Sequence, residues 1–206
     1  MANNLRITGG IYTNKKLGVP VASGTRPAQA IVREVLFNWI GNDLTGKTCL
    51  DLFAGTGMLS WEAMSRGAAK AILIEQHSYT CRCLKEQSSE FGYTKDDLLV
   101  LRRDVYRWLN RSHKEDFDII FIDPPYNTDY FKKCVPLLLA KNLLKTGGYI
   151  FYEVSAKEYE EIPWLQESIV IPRPLRYSTE QGDQKEYKVI KNNNRGNTYF
   201  GLIGGS

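Results

Sequence analysis

The residues with the clearest chemical meaning form the motif Asp123-Pro124-Pro125-Tyr126, directly after an apolar run at 117–122. The two prolines stiffen the backbone and donate no N–H, so carbonyl groups here can point outward as acceptors. The exocyclic amine of a nucleobase is a poor nucleophile because its lone pair is conjugated with the ring. A carboxylate and a proline carbonyl that accept its two N–H groups favour a tetrahedral nitrogen, and the carboxylate stabilises the positive charge that grows there. Since the flat face of Tyr126 suits a flipped-out base, the motif predicts methyl transfer to a base amine.

A glycine-rich loop is predicted at Asp51–Gly57, between an apolar run and a helical pattern. Gly55 and Gly57 allow the backbone to turn sharply and to approach a ligand closely. Position 60 is Ser, so the third glycine of the dinucleotide fingerprint is missing. The loop itself has no Gly-Lys-Ser/Thr, and the P-loop-like sequence Gly41–Thr48 comes before the apolar run at 49–53 instead of between a strand and a helix. The loop therefore favours a ligand with an adenosyl group and no phosphate, and a dehydrogenase is the less favoured alternative.

Two acidic residues follow later apolar runs at positions that suit such a ligand. Glu75 ends the run at 71–75, where a carboxylate can accept hydrogen bonds from ribose hydroxyls. Asp104 follows the run at 98–101 and is expected to cap the next helix or to face the adenine amino group, and both roles can coexist. The residues predicted to contact the cofactor are Asp51, Phe53, Ala54, Gly55, Thr56, Gly57, Glu75, Gln76, Asp104 and Val105.

Short apolar runs that alternate with helical patterns would position these residues. The runs lie at 49–53, 71–75, 98–101, 117–122 and 149–154, and helices are predicted near 58–66, 78–91, 105–112 and 129–142. This alternation predicts βαβ units and a mostly parallel sheet with helices on both faces. Ligand chemistry in such sheets lies at the carboxyl ends of the strands, where the glycine loop, Glu75 and the Asp123 motif fall.

The first 48 residues carry the whole excess of positive charge. They hold six basic and two acidic side chains, and the net charge of the full sequence is +4. The segments 5–12 and 16–21 predict a small hairpin around Asn14, and 28–40 predicts an amphipathic helix. A basic surface of this kind favours a polyanionic partner. The residues predicted to contact such a partner, which the resemblance described below implies to be RNA, are Lys15, Lys16, Arg26 and Arg33.

The C-terminal part has a different pattern. The runs at 168–171 and 187–190 are separated by the turn signal Gly182-Asp183, without a helix between them, and predict an antiparallel hairpin. Residues 192–206 are rich in Asn and Gly and are expected to be loose. We therefore expect a basic hairpin extension at 1–24, a methyltransferase domain at 25–191 and a flexible tail at 192–206.

The cysteines and histidines give no support to a metal site. Four cysteines are scattered without a CxxC pair, and only two histidines are present, so we expect no metal. No apolar run approaches the ~20 residues that cross a bilayer, and the N-terminus lacks the apolar stretch of a signal peptide. We therefore expect a cytoplasmic protein without a membrane partner.

Together these motifs resemble those of the RsmD-type enzymes, which methylate guanine N2 in bacterial small-subunit (16S) ribosomal RNA. The resemblance extends to about residue 191. It rests on Thr25-Arg26-Pro27 with the segment 32–39, on Asp51–Gly57 with the segment 62–68, and on Asp123–Tyr126. The chain differs from the family at Lys15-Lys16, where the family tends to carry arginines, and at His77 and Gln87, where it often has Asp and Asn.

The resemblance implies the class I methyltransferase fold, a Rossmann-like α/β sheet of seven strands with the last pair antiparallel. It implies S-adenosylmethionine as the methyl donor, S-adenosylhomocysteine as the product, and 16S rRNA as the partner, within the small subunit or an assembly intermediate. We expect a monomer. Two other functions stay open: a DNA adenine-N6 methyltransferase, because the same motif serves both amines, and a silent RNA-binding module. The chain has no insertion large enough for a DNA target-recognition domain, and the intact acids at 51, 75 and 123 argue against a silent module.

Overall fold

A computed structural model describes residues 5–18, 30–111, 113, 115–126, 128–166 and 186–205. The chain forms two compact units, Met1–Trp108 and Leu109–Ser206. Their strands belong to a seven-stranded sheet in which helices separate the successive parallel strands. The predicted α/β fold class is therefore confirmed.

The first unit contains three parallel strands connected by helices. After α1 (Ala30–Ile40), β1 (Thr48–Asp51) leads through α2 (Met58–Ser65) to β2 (Lys70–Glu75). From β2 the chain passes through α3 (Ser78–Glu90) to β3 (Leu98–Arg102), and α4 (Val105–Leu109) follows. β2 pairs with both β1 and β3. Beyond their first residues β1 and β2 are buried throughout, as expected of parallel strands that are covered on both faces.

The predicted hairpin around Asn14 is present in residues 5–18. Asn14 has a positive φ of 68°, and its N–H donates a 2.8 Å hydrogen bond to the carbonyl of Ile7. Arg6 and Lys16 form an antiparallel bridge on either side of this reversal. Asn tolerates the left-handed conformation better than most residues, which explains why the chain turns here. The remaining residues of the predicted hairpin, 19–21, lie outside the described residues.

Side chains of α2 and α3 hold this N-terminal segment. Glu62 Oε1 accepts a 2.7 Å hydrogen bond from Thr8 N–H, and Ser65 Oγ accepts one of 2.9 Å from Tyr12 N–H. On α3, Gln87 Oε1 accepts a 2.7 Å bond from Gly18 N–H. Because these bonds satisfy backbone donors of the segment, they fix its position on the first unit.

The second unit contains one parallel and two antiparallel strand pairings. β4 (Phe117–Ile122) leads through α5 (Tyr130–Ala140) to β5 (Leu144–Ser155), which pairs with β4 in parallel. Two short helices follow, α6 (Ala156–Glu160) and α7 (Pro163–Gln166). The chain ends in β6 (Tyr187–Arg195) and β7 (Thr198–Gly205), and β7 is antiparallel to both β5 and β6.

The prediction of a flexible tail is wrong for residues 192–205, which lie in β6 and β7. Arg195 pairs with Thr198 across the two-residue turn Gly196-Asn197, where Gly196 has a φ of 59°, and such turns favour hairpins. Polar residues at 192–194 are exposed on β6, whereas β7 is largely buried, so composition concealed the strands. The predicted strand at 187–190 is confirmed as the start of β6, but its predicted partner at 168–171 and the turn at 182–183 lie outside the described residues.

Candidate functional site

Asp51 ends β1 with its side chain buried. Ser60 Oγ, on α2, donates a 2.9 Å hydrogen bond to Asp51 Oδ2. Burial raises the pKa of Asp51 to about 7, although hydrogen bonds from Ser60 and from the backbone N–H of Phe53 act in the opposite direction. Ser60, which stands where the dinucleotide fingerprint has its third glycine, therefore orients the carboxyl group of Asp51 at the start of the glycine loop. The spacing of the motif did not reveal this contact.

The two glycines of the loop adopt left-handed backbone conformations that other residues rarely adopt. Gly55 and Gly57 have positive φ angles of 50° and 72°. A Cβ atom at Gly57 would lie 2.7 Å from both Leu84 Cδ2 and Trp61 Nε1. Trp61 is itself fixed, since its Nε1–H donates a 3.1 Å bond to the carbonyl of Thr56. The loop is thus tightly packed from the α2 and α3 side and needs glycine at 57 for both conformation and space.

Glu75 ends β2 and contacts the glycine loop directly. Its Oε2 accepts a 3.0 Å hydrogen bond from Gly55 N–H, and its Oε1 accepts one of 2.7 Å from His77 N–H. The side chain is 8% exposed. The structure therefore brings the predicted ribose acceptor and the predicted glycine loop together, and two backbone donors hold the carboxylate in place.

Asp104 lies at the start of α4, where its Oδ1 accepts a 2.9 Å hydrogen bond from Arg107 N–H. Its predicted role as a helix cap is confirmed, and the half-buried side chain keeps partial access to solvent. Val105 is buried beside it, whereas Gln76 is exposed at the end of β2. The Gln76 carbonyl accepts a 3.4 Å bond from Arg102 Nε, which ties the ends of β2 and β3 to each other.

The Asp123 motif directly follows β4 in the second unit. Asp123 is half-buried, Pro124 is buried and Pro125 is exposed. The Pro125 carbonyl accepts a 2.7 Å hydrogen bond from Thr128 Oγ1. The motif therefore combines a partly accessible carboxylate with a backbone whose second proline carbonyl is already engaged.

Tyr126 is held by two buried side chains from other strands. Its hydroxyl donates a 2.9 Å hydrogen bond to Glu153 Oε1 on β5 and lies 3.0 Å from Thr198 Oγ1 on β7. Burial and the neighbouring Glu153 carboxylate raise the pKa of Tyr126, so the hydroxyl keeps its proton at neutral pH. Sequence reasoning missed both anchors, because β7 was taken for a loose tail and nothing marked Glu153 in the β5 pattern.

Of the four residues predicted to bind RNA, the structure describes three. Lys15 and Lys16 are exposed at the hairpin, and Lys15 Nζ lies 3.9 Å from the ring centroid of Phe91. Arg26 lies outside the described residues. The lysines thus keep a position at which phosphate contacts are sterically feasible.

The prediction that Arg33 binds RNA is wrong. Arg33 is 3% exposed, its Nε donates a 3.1 Å bond to Glu62 Oε1, and its Nη2 donates a 2.8 Å bond to the carbonyl of Arg6. Glu62 also pairs with Arg66. A buried charge needs paired partners, so Arg33 faces inward and has a structural role. The buried residues of α1 are Val32, Arg33, Leu36 and Phe37.

Metal-binding clusters and membrane-spanning helices are both absent from the described part of the chain. No group of three or more His, Cys, Asp or Glu side chains in that part is arranged to hold a metal ion. Within the same residues, no helix has the length and apolar character needed to cross a membrane.

Comparison with known proteins places the chain in a family. The sequence profile described as Conserved hypothetical protein 95 matches residues 5–172. The chain is 32% identical over 171 residues to Ribosomal RNA small subunit methyltransferase D of Buchnera aphidicola subsp. Acyrthosiphon pisum, covering 83% of this chain and 84% of that protein. It is 34% identical over 160 residues to Ribosomal RNA small subunit methyltransferase D of Escherichia coli K12, covering 74% and 75%. The chain belongs to the small subunit methyltransferase D family.

A solved structure agrees with this assignment. The Escherichia coli protein yhhF matches with a TM-score of 0.75 and 25% sequence identity, covering 97% of this chain and 96% of that chain. The family match at 5–172 includes the glycine loop, Glu75 and the Asp123 motif, but it ends before β6 and β7. One anchor of Tyr126, Thr198, therefore lies beyond the segment that defines the family.

Proposed function

We propose that this chain transfers a methyl group from S-adenosylmethionine to the exocyclic N2 of a guanine in 16S rRNA. The observation that carries the proposal is the Asp123-Pro124-Pro125-Tyr126 motif at the carboxyl end of β4, in a member of a family whose relatives are named small subunit rRNA methyltransferases. The motif supplies the acceptors that an amine needs, and the relatives' names supply the class of nucleic acid.

The first unit has the features that the methyl donor requires. Bound S-adenosylmethionine supplies a methyl group on a positively charged sulfur, which makes the methyl carbon electrophilic. Gly57 keeps the loop in its tight turn, because it has a positive φ of 72° and a Cβ there would clash with Leu84 and Trp61. Glu75, oriented by Gly55 and His77, is the acceptor we assign to the ribose hydroxyls. We assign Asp104 and Val105 to the adenine, and Asp51 to the amino-acid end.

In the second unit, the motif would act on the amine of the base. Asp123 accepts one N–H of the amine and stabilises the positive charge that develops on nitrogen. We assign the other N–H to the Pro124 carbonyl, because the Pro125 carbonyl already accepts the hydroxyl of Thr128. The Tyr126 ring stacks on the flipped base. Release of the methyl group to nitrogen leaves a protonated amine, whose proton then passes to Asp123 or to water.

Lys15 and Lys16 would contact phosphates and so position the RNA without reading its sequence. We further propose that a monomer acts in the cytoplasm, on the small subunit or on an assembly intermediate, without a metal.

One experiment tests the reaction and the substrate together. The protein is incubated with methyl-labelled S-adenosylmethionine and, in parallel, with under-methylated small subunits, naked 16S rRNA and duplex DNA. After digestion the labelled nucleoside is identified by mass spectrometry. Label in N2-methylguanosine from an RNA arm supports the proposal. Label in N6-methyladenine from DNA would make the chain a DNA methyltransferase, and no label in any arm, with intact S-adenosylhomocysteine binding, would indicate a silent module.

A further inference from the structure

The hydroxyl of Tyr126 makes contacts that stacking of its ring on a base does not require. A phenyl ring would stack on a base equally well, yet this hydroxyl lies 2.9 Å from Glu153 Oε1 and 3.0 Å from Thr198 Oγ1. Glu153 and Thr198 are 5% and 4% exposed, so both partners are inside the protein. They lie on β5 and β7, two neighbouring antiparallel strands. Three separate segments of the chain therefore meet at one oxygen atom.

The direction of these hydrogen bonds follows from the number of protons. A carboxylate only accepts, so the Tyr126 hydroxyl must donate its single proton to Glu153. Thr198 must then donate its own hydroxyl proton to the Tyr126 oxygen. The result is an ordered chain from Thr198 through Tyr126 to Glu153, in which the tyrosine oxygen both accepts and donates. Such a chain fixes the hydroxyl more tightly than a single bond would.

The consequence for the catalytic motif is orientation. Tyr126 is only half-buried and its neighbour Pro125 is exposed, so packing alone holds the ring less firmly than in a closed core. With its hydroxyl fixed to β5 and β7, the ring cannot swing away from the end of the motif about its Cα–Cβ bond. A base then stacks on a side chain that is already ordered. The entropy of ordering this side chain is therefore lost when the protein folds and not when the RNA binds.

We propose that Glu153 and Thr198 are positioning residues that fix the ring of Tyr126 for the target base. The inference rests on the proposed function, because it assigns that ring to a flipped nucleobase. It also gives a role to the β6–β7 hairpin, which delivers Thr198 to the end of the catalytic motif.

A double-mutant cycle tests the proposal. Tyr126→Phe keeps the ring and removes the hydroxyl, and Thr198→Val keeps the branched shape and removes the donor. Each should lower kcat/KM for RNA by roughly 3- to 30-fold, the scale of one or two buried hydrogen bonds. The loss should appear mainly in KM for RNA, with S-adenosylhomocysteine affinity unchanged. The double variant should have a kcat/KM no lower than that of the more impaired single variant, because both substitutions break the same chain of hydrogen bonds. Additive losses would overturn the proposal.

Glu153 is tested by a conservative pair, since a drastic change at this buried site can prevent folding. Glu153→Gln keeps an oxygen that accepts the Tyr126 proton and should retain kcat/KM within about threefold of the wild type, whereas Glu153→Leu should match Tyr126→Phe. If Glu153→Gln and Glu153→Leu, measured on folded protein, are equally impaired, the acceptor role is overturned. Thr198→Val keeps the test decisive if the leucine variant does not fold.

The matched control is Tyr152→Phe, at the residue next to Glu153. The Tyr152 hydroxyl is also bonded to the terminal hairpin, through a 3.2 Å hydrogen bond to Asn192 Oδ1, but it does not touch the catalytic motif. The Tyr152→Phe variant should have a changed thermal stability and an unchanged KM for RNA. A rise in its KM equal to that of Tyr126→Phe would overturn the proposal. If the wild type methylates a nucleoside other than guanosine, the proposed function is wrong. The same double-mutant cycle, measured with that substrate, then still tests whether Glu153 and Thr198 position Tyr126.

Discussion

Glu75 Oε2 lies 3.0 Å from the backbone nitrogen of Gly55, so the acid at the end of β2 is bonded directly to the loop that follows β1. Its other oxygen accepts the N–H of His77. The two donors orient the carboxylate before a ligand arrives. A change at Glu75 therefore removes a support of the loop together with the ribose acceptor that we propose.

We predict that Glu75→Ala weakens the binding of S-adenosylhomocysteine by about 1.5–3 kcal/mol, the scale of hydrogen bonds that involve a charged group. Isothermal titration calorimetry measures the change directly. Glu86→Ala is the matched control, because Glu86 is an exposed acid on α3 that pairs only loosely with Arg82, at 3.9 Å. Unchanged affinity in a folded Glu75→Ala protein would remove Glu75 from the cofactor site.

We predict that Asp123→Asn binds S-adenosylhomocysteine nearly as the wild type does but loses roughly 100-fold or more in turnover. The variant keeps the shape of the side chain and loses the negative charge that stabilises the developing cation. Single-turnover kinetics with saturating RNA measure the chemical step. Asp129→Asn is the control, since Asp129 is an exposed acid that pairs with Lys133. A chemical step at a third of the wild-type rate would contradict the mechanism assigned to Asp123.

The sequence was sufficient to predict the strands that build the first unit and the start of the second. β1 to β4 lie within two residues of the predicted runs, because parallel strands covered on both faces are apolar along their whole length. The approach of Glu75 to the glycine loop also agrees with the prediction that the ends of neighbouring strands meet, and Gly55 and Gly57 have the positive φ angles that favour glycine.

The contacts that the sequence did not predict join residues that are far apart along the chain. The basic N-terminal segment predicts Arg33 as a phosphate ligand, but the Arg33 side chain is bonded to Glu62, 29 positions later. Thr198 meets Tyr126 over a separation of 72 positions. Neither pairing follows from local spacing, because it depends on how helices and strands pack. Composition was misleading at β6 for a related reason, as an edge strand with exposed Asn side chains resembles a loop.

We predict that Asp51 makes stability depend on pH. The folded state holds its proton up to a pKa of about 7, whereas the unfolded chain releases it near pH 4. Between these values the folded state binds more protons, so the free energy of unfolding falls as pH rises, by at most about 1.4 kcal/mol per pH unit, and levels off above pH 7. Urea denaturation from pH 5 to 8 should show this fall in the wild type relative to Asp51→Asn. A difference between the two proteins that does not vary with pH would contradict the prediction.

We predict that Arg33→Met lowers the free energy of unfolding without affecting RNA contacts. The change leaves Glu62 buried with Arg66 as a remaining partner, so we expect a loss of about 1–3 kcal/mol, the cost of a broken buried polar contact. Denaturant titration measures it. The salt dependence of RNA binding should stay that of the wild type, and a reduced dependence in folded Arg33→Met would restore Arg33 as a phosphate ligand.

The exposed lysines of the N-terminal hairpin should behave in the opposite way. Lys15 and Lys16 are exposed, and the ring of Phe91 holds Lys15 Nζ at 3.9 Å from its centroid, a contact that leaves the charge available to phosphate. Replacing both with Ala should weaken RNA binding and flatten the slope of log K against log salt by roughly 0.7–0.9 per lost phosphate contact. Cofactor affinity should not change.

The control for this prediction is a pair of exposed lysines elsewhere, Lys95 and Lys157, replaced with Ala. It removes the same total charge, so it separates a local phosphate contact from the general attraction of a basic protein to RNA. Filter binding at salt concentrations from about 50 to about 200 mM measures the slope of log K against log salt for both variants. If the hairpin variant and the control variant have equal slopes, the lysines act only through net charge, and the phosphate contacts must lie on another surface.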